Sequence, residues 1–273
     1  MIGNMRVFDK LIPNSLMSTL KESYHKLEYH KNNMFRKETE IFSQVEVETN
    51  SLCNRTCKIC PNNEYTRGNH YMDLSTYQNL LDQLSDMDFS GRFVPVAYNE
   101  PLLDNRLEDL MSAAREQLPK ATILIYTNGS KLTENRIESL SKAGVNGLIV
   151  SQYEDNLEKD DISDLLKSLP KELKKLVRHR ILKDEHLLST RAGLIEVSNK
   201  IIKSSCYQAS NNIIIDYKGN IILCCHDYFK TKQFGNIHEK PVLDIWNDAE
   251  FKELRSQLRK GIFNLDMCKN CVE

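Results

Sequence analysis

The chain has no cysteine between Cys60 and Cys206 and almost no net charge, with 37 Lys and Arg against 38 Asp and Glu. It also has no stretch of about 18 uncharged apolar residues. Each absence excludes something. Without a long apolar run there is no candidate membrane helix, and residues 1–10 lack the apolar centre of a signal peptide, so a soluble, cytoplasmic protein is expected. Balanced charge with no basic stripe gives no reason to expect a nucleic-acid partner. In a reducing compartment, eight cysteines point to metal or redox chemistry rather than to structural disulfides. The long gap divides them into Cys53, Cys57, Cys60 and Cys206, Cys224, Cys225, Cys268, Cys271, which suggests two metal sites in two structural units. The first set is itself short of a ligand. A closed structural site takes four, so three thiols spaced C-x3-C-x2-C leave one position for a cofactor or substrate.

Periodicity places these thiols. Residues 45–50 alternate apolar and polar and read as a strand that delivers the cysteine loop. A helix over 73–87 with Asp73 as N-cap follows, then strand 93–98, helix 104–117, strand 121–126, a helix from Thr133, strand 145–151, a helical segment 158–169 and strand 176–182. Alternating strands and helices imply a parallel sheet, here a partial (β/α)6 TIM-like barrel of the α/β class, whose polar turns gather at the C-terminal ends of the strands. Those turns are Asn99-Glu100-Pro101, Thr127-Asn128-Gly129 and Ser151-Gln152. From about residue 201 the pattern changes to a hairpin, 212–216 and 220–223 around Gly219, and a helix over 241–260. The expected division is a helical extension at 1–42, the barrel at 43–198 and a small C-terminal unit at 199–273. So small a unit has little core, and a metal cluster would hold it together. In the extension, Leu11, Leu16, Leu20, Tyr24 and Leu27 have helical spacing. They read as a surface helix, or as a lid or substrate-docking element.

With the C-x3-C-x2-C motif and the polar turns in place, the chain resembles the radical S-adenosylmethionine (radical SAM) superfamily. The resemblance implies that Cys53, Cys57 and Cys60 hold a 4Fe-4S cluster whose fourth iron is chelated by SAM. Reductive cleavage, with electrons from a donor such as flavodoxin or ferredoxin, gives a 5′-deoxyadenosyl radical that removes a hydrogen atom from an unactivated C–H bond. The family's Gly-Glu-Pro turn, which contacts the SAM amino group, is matched by Asn99-Glu100-Pro101. Glu100 keeps the acceptor, and Asn99 replaces glycine as a residue that tolerates left-handed dihedrals. Thr127 and Asn128 share that rim, and Ser151 and Gln152 match positions near the SAM ribose or carboxylate. The C-terminal unit resembles the auxiliary-cluster domain called SPASM, or its shorter form, twitch. Cys206, Gly219 and Cys224 fit its spacing, and Cys268 and Cys271 complete a four-thiolate set for an auxiliary 4Fe-4S cluster. Cys225 reads as a small buried thiol, or as a replacement for Cys224, and zinc at the four thiols is the rival metal.

SPASM and twitch enzymes include maturases of ribosomally made peptides, which crosslink, epimerise or excise, and dehydrogenases of aminocyclitol alcohols. Likeness to the latter implies that Arg191 holds substrate near the auxiliary cluster and that this cluster accepts an electron. Asn99 and the N-terminal extension set this chain apart from them. The expectation is therefore hydrogen abstraction from a natural-product precursor, a peptide favoured over an aminocyclitol or sugar alcohol. Candidates for taking the proton are Tyr98, His226 and Asp227. Two readings of other classes stand beside it, a zinc-binding interaction module and a cluster-bearing electron carrier.

Overall fold

A computed structural model of the chain describes residues 14–35, 39–153, 162–182, 189–197 and 204–271. Leu11, the boundary at 198/199 and the first part of the segment expected at 158–169 lie outside the described residues, as does the side chain of Leu16.

The strands are β1 (Gln44–Val47), β2 (Arg92–Val94), β3 (Thr122–Thr127), β4 (Gly147–Tyr153), β5 (Val177–Leu182), β6 (Asn212–Ile215), β7 (Asn220–Ile222) and β8 (Gln233–Asn236). They form one sheet in the order β5-β4-β3-β2-β1-β6-β7-β8. β1 to β6 run parallel, and β7 and β8 turn antiparallel. The sixth parallel strand of the barrel thus comes from the C-terminal region, and β6 pairs with β1 from Gln44↔Asn212 to Val47↔Ile215. The expected hairpin forms, but as a continuation of the barrel sheet. Its turn needs Gly219 at φ +83, and the Asp216 carboxylate ties the turn by accepting from the backbone N–H groups of Lys218 and Asn220, both at 2.9 Å.

Side-chain alternation gives the sheet two unlike faces. Val45, Val47, Phe93, Ile123, Ile125, Val150, Ile213 and Ile215 pack under a helix layer. That layer includes α2 (Leu74–Asp86), α3 (Leu107–Gln117) and α4 (Glu134–Lys142). α2 buries Tyr77, Leu80, Leu81 and Leu84. Thr133 caps α4 by accepting from the N–H of Arg136. The opposite face, the barrel lumen, carries polar groups: Gln44, Glu46, Arg92 and Asn212 bond to one another across it.

Two expected elements depart from the pattern. The strand expected to run to Tyr98 stops at Val94, because Pro95 brings no N–H to a ladder. The helix expected over 241–260 is two, Val242–Trp246 and Ala249–Arg259. Asn247 and Asp248 divide it: Asn247 Oδ1 accepts from the N–H of Glu40 at 2.8 Å, and the Asp248 side chain caps the second piece. In the segment expected at 158–169, the described helix is Ser163–Ser168.

The N-terminal helix α1 (Asn14–Asn33) lies at the end of the barrel opposite the cysteine loop. Its Glu28 meets Arg92, the first residue of β2, at 2.8 Å. The carbonyl of His25 accepts from Asn211, just before β6, at 2.8 Å. Arg259 lies over the Tyr29 ring at 4.4 Å. Through these contacts α1 forms a floor to the lumen.

The segment after α1 anchors the C-terminal helices through a buried charge. Arg255, with 0% of its surface exposed, is sandwiched by Trp246 at 3.9 Å and Phe251 at 4.4 Å and pairs with Glu40 at 2.9 Å. Burial brings the guanidinium down to about 10 despite that pairing. Burial opposes the charged form of Glu40, but Arg255 and Tyr29 outweigh it and hold the carboxyl below its usual 4.5. Glu40→Ala is expected to cost about 3 kcal/mol, because it leaves a buried cation unpaired. The wild-type pair contributes fully above pH 4.5 and loses its contribution as pH falls below it, so the variant should lose less stability on acidification. Urea unfolding at pH 7 and pH 4 measures both effects, and an unchanged midpoint at pH 7 contradicts the first.

Candidate functional site

The rim is assembled by hydrogen bonds that tie the ends of β1, β2 and β3 together. After β1 the chain enters the cysteine loop. Cys53 is exposed, Cys57 is buried, and Cys60 is half-buried. The N–H of Cys60 donates to the carbonyl of Cys57 at 2.9 Å. Burial pushes the Cys60 thiol up, against the pull of Arg191 and Arg67, so a bound metal rather than the protein would draw off its proton. Asn54 locks the loop to the end of β3: its amide donates to Ser130 at 2.8 Å and its carbonyl accepts from Asn128 at 3.0 Å. Asn62 locks the loop to the end of β2 by donating to the carbonyl of Tyr98 at 2.8 Å.

Glu100 is the junction of these turns. Its N–H donates to the carbonyl of Leu52 at 2.6 Å. Its carboxylate accepts from Thr127 Oγ1 at 2.6 Å, the N–H of Asn128 at 2.7 Å and the N–H of Leu102 at 3.0 Å. Burial raises its carboxyl and these three donors oppose the rise. Asn99 is not in the left-handed region, contrary to the expectation drawn from its replacing glycine. It holds the turn with its side chain, its Oδ1 accepting from the N–H of Ala97 at 2.8 Å. Ser151 and Gln152, adjacent on β4, point to opposite faces. Ser151 accepts from Arg180 at 3.1 Å. Gln152, with 0% exposure, bonds to His179 at 2.8 Å, away from the lumen.

The second set of thiols lines one small cavity, bounded by Cys206, Cys224, Cys268 and Cys271 and otherwise mainly by apolar side chains such as Leu223, Leu258 and Phe263. Burial pushes the Cys224 thiol well up. Four thiols around a mainly apolar cavity fit a closed iron–sulfur cluster, because the cluster takes all four as ligands and leaves no open position. Cys225 lies elsewhere, on a polar cavity with Glu48, Arg67, Tyr98, Asp216 and Lys230. The two neighbouring thiols, which lie in the turn just past the end of β7 rather than in a strand, thus line different cavities. His226 sits with its Nδ1 3.2 Å from Cys271 Sγ. Both carboxylate oxygens of Asp227 are occupied, accepting from Thr231 and from the N–H of Lys232, which makes it a turn former rather than a free base. The Tyr98 hydroxyl is buried without a hydrogen-bond partner among the described residues, and burial raises its pKa.

Arg191 stands between the two sets. It occupies a left-handed turn with φ 49, followed by Ala192 at 60 and Gly193 at 92, a conformation that costs non-glycine residues about 1–3 kcal/mol each. The turn is pinned to the C-terminal loop by Thr190 Oγ1, which donates to the carbonyl of Asn270 at 2.6 Å. Ala192 lines the four-thiol cavity. The charge of Arg191 acts on Cys60, Tyr98 and Glu46. Sequence reading missed the ion network beside it: Glu48 pairs with Arg67 and, at 2.9 Å, with Lys230, which also pairs with Asp216 at 2.9 Å. The available signal was Glu46 and Glu48 at alternate positions of a central strand, where only a polar lumen accommodates both.

The chain belongs to the radical SAM superfamily: residues 47–187 match the family model described as Radical SAM superfamily, and residues 206–272 match that of the SPASM iron-sulfur cluster-binding domain. It is therefore an enzyme of the oxidoreductase kind that uses a SAM-binding 4Fe-4S cluster, SAM and auxiliary iron–sulfur. The iron–sulfur assignment of the C-terminal unit displaces zinc there and with it the interaction-module reading. Among known proteins, the chain is 36% identical over 237 residues to the S-adenosyl-L-methionine-dependent 2-deoxy-scyllo-inosamine dehydrogenase of Niallia circulans, covering 85% of this chain and 93% of the relative. The crystal structure of BtrN in complex with AdoMet and 2-DOIA superposes with a TM-score of 0.79 at 35% identity, over 85% of this chain and 94% of that one. The structure of anSMEcpe with bound AdoMet and the Cp18Cys peptide shares the fold, with a TM-score of 0.54 at 13% identity, over 85% of this chain and 89% of that one. Among the described residues no helix is long and apolar enough to cross a membrane.

The two cavities make the thiol assignment testable. After anaerobic reconstitution, Cys224→Ala is expected to lose one cluster's iron and sulfide while Cys225→Ala keeps both clusters. Equal iron loss in the two variants would show that the separation of these thiols does not govern the ligand set.

Proposed function

We propose that the chain is a radical SAM dehydrogenase of a small polyhydroxylated ring, an aminocyclitol or closely related sugar alcohol. The observation that carries it is Arg191, a cation held in a strained turn between the two thiol sets. In this reading Cys53, Cys57 and Cys60 hold the SAM-binding cluster, and Cys206, Cys224, Cys268 and Cys271 hold the auxiliary one. Asn99, Thr127, Asn128 and Ser151 line the rim where SAM lies, with Glu100 and Gln152 fixing the turns behind it. Oxidation of a secondary alcohol removes a hydrogen atom from carbon, a proton from oxygen and one electron; SAM and the two clusters, when bound, supply the acceptors for the atom and the electron.

What the chain itself supplies is orientation and a polar, enclosed lumen. Arg191 donates to a substrate hydroxyl and favours its deprotonation by its charge. Glu46, Glu48, Arg67 and Lys230 give the lumen the alternating donors and acceptors that a ring bearing hydroxyl and amino groups can satisfy. A flavodoxin- or ferredoxin-type donor completes the scheme.

This reading reverses the order expected from the sequence, in which a peptide came first. The relative at 36% identity carries an aminocyclitol dehydrogenase name over 85% of this chain, whereas the peptide-bound relative at 13% supports the fold alone. The test is turnover of an aminocyclitol deuterated at the carbinol carbon. Label should appear in 5′-deoxyadenosine together with one equivalent of ketone, and failure to form ketone, with turnover of a peptide instead, would sink the proposal. Arg191→Met is expected to lower kcat/KM by about 100-fold, the loss of one charge-assisted hydrogen bond, with partial recovery in Arg191→Lys. Steady-state kinetics on the same ketone assay measures both.

A further inference from the structure

The helix that closes the barrel floor is wired to the lumen by an unbroken chain of side chains. Glu46 is buried on the lumen face of β1, in register with Val94 on one side and Ile214 on the other. Its Oε1 accepts from Gln44 Nε2 at 2.7 Å and from Asn212 Nδ2 at 2.9 Å. Its Oε2 makes no hydrogen bond among the described residues. Gln44 Oε1 in turn accepts from Arg92 Nε at 2.6 Å, and Arg92 Nη1 lies 2.8 Å from Glu28 Oε1 of α1. The orientation of the Gln44 amide follows from this. The guanidinium can only donate, so the amide oxygen must face it, and the NH2 is left for Glu46.

The charges along the chain are coupled as well as positioned. Arg92 is shared by two carboxylates, Glu28 in contact and Glu46 one side chain further in. The groups that face Glu46 are Gln44 on its own strand, Arg92 from β2, Asn212 from β6 and Arg191 from the 189–197 loop. From α1, Tyr24 and Glu28 face Arg92, and His25 stands beside Glu28. Burial opposes the charge on Glu28, but His25 and Arg92 outweigh it and hold the carboxyl at about 2. Burial pushes Glu46 up to about 7, against Gln44, Asn212, Arg92 and Arg191. Glu28 is therefore a fixed negative charge that absorbs part of the field Arg92 would otherwise direct at Glu46.

We propose that α1 is a working part of the lumen: Glu28, by holding Arg92, positions Gln44 and Glu46 and sets how readily Glu46 carries charge. Glu28 and Arg92 are positioning residues acting through Glu46, whose unbonded Oε2 is the edge a polar guest would meet, as acceptor when ionised and donor when protonated. This depends on no particular substrate, so it stands or falls separately from the dehydrogenase reading.

The experiment is a pH titration of the Glu46 carboxyl band by infrared difference spectroscopy on the reconstituted enzyme, with Glu46→Gln to assign the band. Glu28→Gln should move the midpoint down, because Arg92 then faces Glu46 with its charge uncancelled. Arg92→Met should move it up, because burial is then less opposed. Shifts of roughly one pH unit in opposite directions are expected. A helix that merely plugs the floor would lower the melting temperature in both variants. It would leave the Glu46 midpoint in place or move it the same way in both, and either result overturns the proposal.

Discussion

The parallel pairing of β1 with β6 is the contact on which the arrangement depends. β1 delivers the cysteine loop, and β6 begins the segment that carries the four-thiol cavity, so four register pairs between Gln44↔Asn212 and Val47↔Ile215 put two metal-binding units into one sheet. A linker between separate domains would leave their separation free to vary, whereas a backbone ladder fixes it. Two bound centres can act on one guest only at such a fixed distance.

The seam that this pairing creates is polar on its lumen side, and the polarity has a structural cost. Glu48 and Asp216 are nearly inaccessible to water, and Arg67 and Lys230 neutralise them. Buried ion pairs of this kind add little net stability, since desolvation offsets most of the attraction. What they contribute is position. Lys230 adopts φ +56, a strained backbone that lets one ammonium reach carboxylates on both sides of the seam. An apolar seam would hold the units at least as firmly but would leave the lumen with nothing to offer a hydroxylated guest.

Much of this was legible in the sequence, and the reasons divide cleanly. The alternation at 45–48, the spacing of Leu80, Leu81 and Leu84, and the two cysteine sets each follow from local periodicity or ligand chemistry, and the structure forms the corresponding strand, helix and cavity. Placement across the chain was not legible. That the described part of α1 lies under the barrel depends on Glu28 meeting Arg92, two residues with no local pattern between them. The split at Asn247 depends on Glu40, which is distant in sequence but adjacent in space. Asn99 shows a subtler limit: a glycine lost from a turn suggested a tolerated left-handed residue, while the turn is held by a side-chain acceptor that leaves the backbone in an ordinary region.

The cysteines and the lumen answer different questions. Thiol spacing specifies the reagent, because iron ligation depends on a few sulfur atoms and little else, and it is shared by enzymes acting on peptides and on sugars. The object of the chemistry is specified by the face of the sheet that the helices do not cover. Polar groups near that face include Glu46 on β1, the Arg191 cation whose charge acts on it, and the Tyr98 hydroxyl, buried without a hydrogen-bond partner among the described residues. Buried polar groups of this kind discriminate by penalising a guest that leaves any of them unpaired.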